Sequence, residues 1–339
     1  MRIELSKIAV VIVNYRTASQ TVALLKSLRR VRGGGERMIC VVDSRSDDGS
    51  GELIRSALNG NEHYVQAEEN LGYGACNNIG IRKGLEWGAD YFLILNPDVT
   101  VEEDFLSRLL IALEAQKKTG IACPVALVPD GETIQSVGGE YSLYTGRALR
   151  RHIGRNAGFL KGDFEYVDFP QGDAILFKKE FFEDAGLFHE KFFLYYEDVE
   201  IGLRAREEYW RTVVIHQSRV CHRDTTRERL YDPLINFTAA RNQIWVERLH
   251  ASLLQLAVFA LVSVFLRYPF RIARAVITLH FRAAFMTVKG VFAGAFGKGL
   301  YGNNHFNMPL RTKKAPDDDT VPDLPSIVFR NSSKSGSKR

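Results

Sequence analysis

Asp43 closes the apolar run "MICVVD" (38–43), and Asp98 follows the run "YFLIL" (91–95) in the tripeptide Asn96-Pro97-Asp98. Each carboxylate stands just past a stretch with the composition of a buried strand. Carboxylates that converge repel one another unless a cation or donor groups lie between them. The pattern therefore suits a site for a hard cation or a polar ligand. Either residue could instead cap the loop it begins, as Asp does at turns and helix starts. A third acidic place is Glu197-Asp198, behind the aromatic run "FFLYY" (192–196). There the plainer reading is of first-turn acids favoured by the helix dipole, with Glu200 and Arg204 as an i,i+4 surface pair.

The elements that would position these residues alternate. "KIAVVIV" (7–13) reads as a strand, followed by a helix from Ser19 that stops at Gly33, Gly34 and Gly35. "MICVVD", "HYVQA" (63–67) and "YFLIL" are further strands, with a helix over 73–87 ending near Gly88. Glu102, Glu103 and Asp104 open another helix, which sets Leu106, Leu109, Leu110 and Leu113 on one side. Such alternation predicts βαβ units and a mostly parallel α/β sheet, whose ligands gather at the carboxyl ends of the strands. Asp43 and Asp98 share that edge. The middle of the chain is less regular. Residues 172–188 read as strand, helix and a Gly stop, a helix starts near Glu197, and "TVVIH" (212–216) is a strand that Val220 to His222 could prolong.

Five segments in order, "VVIVNY" (10–15), "VVDSRSDDGS" (41–50), "NLGYGACNNIGI" (70–81), "LNPDV" (95–99) and "GLFHEKFFLYYEDVEIGLR" (186–204), resemble the family 2 glycosyltransferases with a GT-A fold. The likeness is to their bacterial rhamnosyltransferase-like branch and covers roughly residues 7–250. It implies a nucleotide-diphosphate sugar as donor and a divalent metal, Mg²⁺ or Mn²⁺, on the diphosphate. On the matching positions, Asn14 and Tyr15 bind nucleotide, Asp43 receives the base or ribose, and Asp47 is the acid of the loop beyond. Asn70 and Gly72 lie under the nucleotide and sugar. Asp98 is the last position of the family's D-x-D motif, with Asn96 in place of the first Asp, and His222 completes the metal or diphosphate site. As a lone His in an apolar run, His222 could equally be a core residue. Asp198 is the base of the inverting members, while Gly172, Asp173 and Glu197 line the acceptor. Arg241, beside Asn242, offsets diphosphate charge or serves as a structural ion pair.

A base is needed because a sugar hydroxyl is a poor nucleophile until its proton is removed. The leaving group is already a diphosphate, so no second carboxylate is required as acid, unlike the pair that glycosidases use.

Nine basic residues and no acidic one fall between 251 and 315, although the whole chain carries only +5. The uncharged run 251–266 would span about 24 Å as a helix, short of a bilayer core of about 30 Å. Pro269 fits a new helix start. Arg267, Arg271, Arg274, Arg282 and Lys289 would then share one face, opposite Ile272, Val276, Leu279 and Phe281. That is the form of an interfacial helix on anionic lipid. Packing on the catalytic domain, or pairing of two copies as a homodimer, competes with it. Nucleic acid fits less well, since the aromatics are not interleaved with the arginines.

The expected organisation is a GT-A domain over 1–250, a membrane-associating region over 251–314 and a disordered tail over 315–339. With no export signal before the first strand, the chain is expected at the cytoplasmic face of the inner membrane. The expected reaction is sugar transfer, rhamnose being one candidate, to a lipid-linked saccharide in polysaccharide synthesis. A sugar-phosphate nucleotidyltransferase is disfavoured by "VNYRTAS" (13–19) where a Gly-rich loop would stand. An inactive scaffold of a membrane assembly complex is the rival of another class. Cys40, Cys76 and Cys123, among small or apolar neighbours, read as buried reduced thiols.

Overall fold

Short apolar runs separated by amphipathic stretches fold as alternating layers, because each strand must bury both faces and each helix only one. The computed structural model describes residues 5–222 and 230–297. The expected tail, and Lys298, Arg311, Lys313 and Lys314 of the basic region, lie outside the described residues.

The N-terminal half runs β1 (Lys7–Asn14), α1 (Ala18–Leu28), β2 (Glu36–Asp43), α2 (Ser50–Ala57), β3 (Glu62–Gln66), α3 (Tyr73–Trp87), β4 (Tyr91–Leu95), β5 (Val99–Val101) and α4 (Phe105–Ala115). Strands β3, β2, β1 and β4 are parallel neighbours. Helix α3 lies flush on β1: a Cβ at Gly80 would overlap the Val11 side chain. Leu106, Leu109, Leu110 and Leu113 of α4 are all fully buried.

Beyond β4 the sheet is mixed. It continues through β6 (Thr119–Leu127), β7 (Ile134–Ser136), β10 (Phe164–Val167), β11 (Ala174–Lys178) and β12 (Arg211–His222) in the order β10-β12-β6-β11-β4-β1-β2-β3. Parallel pairing therefore does not extend across the whole sheet, because β11 runs antiparallel to both β4 and β6. A separate hairpin pairs β8 (Gly139–Ser142) with β9 (Arg147–Arg150). Helix α5 (Lys179–Ala185) follows β11, and α6 (Glu197–Glu207) precedes β12.

At the C-terminus, α7 (Pro233–His250) starts with Asp232 capping the Ile235 N–H. It is followed by α8 (Leu253–Val262), a π-helical turn over Ser263–Arg267, α9 (Tyr268–Ile277) and α10 (Phe281–Phe296). Pro269 does not break the axis. The π turn just before it loosens the ladder where a proline supplies no N–H, so α8 and α9 form one 25-residue apolar helix, Leu253–Ile277. At about 37 Å, this is longer than the uncharged run alone predicts. By length and composition it suffices to cross a membrane.

The expected single basic face is not formed. Leu279, in the left-handed region at φ 62°, separates α9 from α10. Arg267 donates to the carbonyls of Thr145 and Gly146, and Arg271 donates to Asn236 Oδ1 at 2.9 Å. These two cations are turned onto protein. Helix α10 packs on α7 through small residues, Ala283, Thr287, Gly290 and Gly294. Phe281, Phe285, Phe292 and Phe296 are left exposed, alongside Leu261, Phe265, Phe270 and Ile277 of the long helix.

Candidate active site

An antiparallel strand brings its beginning to its neighbour's end. Ala174 of β11 pairs with Leu95 of β4, so Gly172-Asp173 reaches the edge where β1, β2 and β4 finish. The Asn96 N–H donates to the Asp173 carbonyl at 2.9 Å, and its side-chain amide to Asp173 Oδ1 at 3.3 Å. His222 arrives because the end of β12 pairs antiparallel with β5, opposite Val99. Its Nε2 lies 3.2 Å from Asp98 Oδ1, while its Nδ1 lies 3.2 Å from Asp173 Oδ2 and about as near the Gln135 amide. His222 is thus part of a polar constellation rather than an apolar core. Asp173 sits against His222, on the same side as Asp98.

A carboxylate and an imidazole nitrogen aimed at one point can hold a hard divalent cation whose other ligands are substrate phosphate oxygens. Among the described residues no group of three or more His, Cys, Asp or Glu forms a metal cluster. The donor set Asp98 and His222 fits an ion shared with a diphosphate better than one caged by protein alone.

The edge expected to take the nucleotide is built from the ends of β1 and β2, where Asn14 pairs with Asp43. Both are fully buried. Asn14 Nδ2 donates to Asp43 Oδ1 at 2.6 Å, and the Ser46 N–H and hydroxyl donate to the same carboxylate. Asp43 therefore braces the loop that follows it. Tyr15 is exposed above, and Asp47 pairs with Arg16 at 2.7 Å in the open. Asn70 Oδ1 accepts from the Ser44 hydroxyl and from the Gly72 N–H. Gly72 has φ +81°, and a Cβ there would overlap the Phe193 carbonyl oxygen, so the position requires glycine.

Asp198 occupies the first turn of α6 and is half-buried. Its Oδ1 accepts from the Val199 N–H at 2.8 Å, and the Cβ that Gly172 lacks would lie 3.7 Å from its Oδ2. Gly172 thus neighbours Asp198, and Asp173 neighbours His222. Burial raises the Asp198 pKa, against the pull of the Arg150 guanidinium, and Asp173 adds to the rise. Burial and the neighbouring Asp198 push buried Glu197 up to about 8. Among the described residues, Glu197 Oε2 has no hydrogen-bond partner. Tyr73 closes the group from below, donating its hydroxyl to the Gly172 carbonyl at 2.8 Å.

The loop before Asp198 is strained: Phe193, Tyr195 and Tyr196 all have positive φ. Asn242 holds it, sharing its amide hydrogens among the carbonyls of Phe192, Leu194 and Tyr195. Among the described residues Arg241 makes no ion pair. It donates to the Phe192 carbonyl at 2.9 Å and stacks over Trp245. Both residues brace the approach to Asp198.

The family model described as glycosyl transferase family 2 matches residues 9–186. This chain belongs to glycosyl transferase family 2. Among curated proteins, the family 2 chain is 28% identical over 216 residues to the low-salt glycan biosynthesis hexosyltransferase Agl10 of Haloferax volcanii, covering 60% of this chain and 63% of that protein. It is 27% identical over 203 residues to an N-acetylglucosaminyl-diphospho-decaprenol L-rhamnosyltransferase of Mycobacterium tuberculosis, covering 54% and 66%. The match thus spans less than two-thirds of either relative. Among solved structures, the fold resembles the mannosyltransferase PcManGT of Pyrobaculum calidifontis in complex with GDP-Man and Mn²⁺, with TM-score 0.55, 12% identity and 87% and 88% of the two chains covered. It also resembles GalNAc-T7 with UDP, GalNAc and Mn²⁺, with TM-score 0.53, 15% identity and coverage of 78% and 57%.

The family 2 site includes residues that motif reading does not single out. Gln135 and Arg150 lie outside the motif segments, on the short strands β7 and β9, and Tyr73, although it falls within 70–81 at the start of α3, is marked there by nothing in its type or spacing. Glu200 is the reverse case. It pairs with Arg204 at 2.8 Å, but inside the protein rather than on the surface, and His250 of α7 covers it.

Proposed function

We propose that this family 2 chain is an inverting glycosyltransferase that moves a hexose from a nucleotide-diphosphate donor to a lipid-linked saccharide. The observation that carries the reading is that two unlike groups meet at one dipeptide: Gly172 neighbours Asp198, while Asp173 neighbours His222, which in turn contacts Asp98. In a displacement with inversion, the incoming hydroxyl and the leaving diphosphate occupy opposite faces of the anomeric carbon. Asp198 accepts the hydroxyl proton as that oxygen bonds to the anomeric carbon, and the bond to the diphosphate oxygen breaks. Burial that raises the Asp198 pKa brings it closer to the operating pH, which favours proton transfer. Asp98 and His222 are the residues that would hold a divalent ion, which when bound offsets charge on the departing diphosphate. Asp173 and Gln135 orient His222 from its Nδ1 side.

The exposed apolar face of 253–296 supports work at a membrane surface. With Arg267 and Arg271 anchoring one flank on protein, the long helix is suited to lie in the interface rather than to cross it. One of the curated relatives above is named for glycan biosynthesis and the other as an N-acetylglucosaminyl-diphospho-decaprenol rhamnosyltransferase, which favours a lipid-linked acceptor.

The test is nucleotide release from UDP-, GDP- and dTDP-sugars, dTDP-rhamnose included, with Mg²⁺ or Mn²⁺ and extracted membrane lipid. One donor should turn over only when lipid is present. If no nucleotide sugar binds, the reading fails and the inactive scaffold takes its place.

A further inference from the structure

We propose that Arg150, on the β8–β9 hairpin, is the subsite for a phosphate group carried by the acceptor. The proposal rests on Asp198 being the base.

The hairpin is held at both ends by parts of the site. At its stem, Gly139 bridges to Phe169, which packs so closely on α6 that a Cβ at Gly202 would overlap it. At its tip, the carbonyls of Thr145 and Gly146 accept from Arg267 of the apolar helix, and Phe259 fills the space beside Gly146. The hairpin therefore runs from the helix of the base to the helix with the exposed apolar face.

Its register fixes which way Arg150 points. Gly139 pairs with Arg150 and Tyr141 with Ala148. Opposed residues share a face and every second residue returns to it, so Arg150 lies on the face of Tyr141. The Tyr141 ring meets the Tyr196 ring edge-on at 6.4 Å, two residues before Asp198. Arg147 falls on the opposite face. Arg151 is tied to Glu140 and Glu165, whereas the Arg150 side chain is exposed and makes no hydrogen bond or ion pair among the described residues. Its charge is felt at Asp198.

A guanidinium in this position is a fork for two phosphate oxygens. The donor's diphosphate belongs beside Asp98 and His222, and in an inverting displacement it leaves from the face of the reacting carbon opposite the hydroxyl that Asp198 deprotonates. The anion at Arg150 therefore arrives with the acceptor, as the phosphate that joins its saccharide to a lipid.

The full chain in detergent would be titrated with farnesyl-diphospho-N-acetylglucosamine and with neutral farnesyl N-acetylglucosaminide. Arg150→Ala should weaken the diphosphate probe about tenfold, the size of one charge-assisted contact, and leave the neutral probe unchanged. Arg147→Ala should change neither. Equal effects on both probes, or no effect of Arg150→Ala, overturn the subsite. So does a loss confined to nucleotide-sugar affinity, or to binding of phosphatidylglycerol vesicles. A wild type that binds neither probe sinks the lipid-linked acceptor itself, whereas binding indifferent to Arg150 sinks only this subsite.

Discussion

Asn242 on α7 donates its side-chain amide to the carbonyl of Tyr195, 2.7 Å away and three residues before Asp198. The contact clamps a loop whose left-handed residues each cost roughly 1–3 kcal/mol. Asn242→Ala would strand buried carbonyls and release the loop. It should destabilise the protein by about 2 kcal/mol in urea unfolding and lower kcat more than it raises the donor KM. Unchanged kcat in folded protein would show that the loop does not aim the base.

Asp198→Asn removes the proton acceptor while keeping the shape. Transfer should fall by roughly 10²–10⁴-fold, with nucleotide affinity retained. Glu197→Gln, which preserves a buried group that does not take the proton, should cost far less.

As the proposed base, Asp198 works only when ionised, so kcat/KM should fall as pH drops through its pKa. Burial raises that pKa above its ordinary 3.8, which sets the acid limb at higher pH than for an exposed Asp. Arg150→Ala removes a charge that lowers it, so the limb should move further up in a pH–rate profile.

His250 links α7 to the helix of the base. Burial opposes its charge, but Glu200 and Glu207 outweigh this and hold it at about 9, against an ordinary 6.5. A raised value means stability that is complete below about 6.5 and lost as pH rises through about 9. His250→Gln should cost roughly 2–3 kcal/mol at pH 6, with a difference that shrinks towards pH 10. A pH-independent difference in urea midpoints would contradict the ion pairing.

Treatment with EDTA should abolish turnover, and Mn²⁺ or Mg²⁺ should restore it. Asp98→Ala should raise the metal concentration needed for half-maximal rate. Full activity in EDTA would mean that Asp98 and His222 serve the diphosphate without an ion.

Strands β1, β2 and β4 are legible because continuous apolar runs bounded by turn residues leave little choice. Strand β6 is not, since Pro124 sits inside it. Proline supplies no ladder donor and argues against a central strand, yet Pro124 is accommodated opposite Ile215, where β12 departs from regular register before Arg219. The direction of β11 is invisible too, and with it the meeting of Asp173 and Asn96. Asp98 and Asp198 stand out because motifs surround them. Arg150 does not, because its hairpin is short and its position is set by Tyr141, Phe169 and Arg267. Glu200 and Arg204 have the spacing of a surface pair, and only the packing of α7 makes them interior.

The insertion of β11 between β4 and β6 also has a consequence in time. Asn96 waits 77 residues for Asp173, and Gln135 waits 87 for His222. During synthesis the first four parallel strands can collapse early, yet the cleft stays unfinished until β12 emerges. Such late, long-range closure makes folding slow. It also means that a ribosome-bound or truncated chain ending before β12 lacks His222, and with it one half of the proposed cation site.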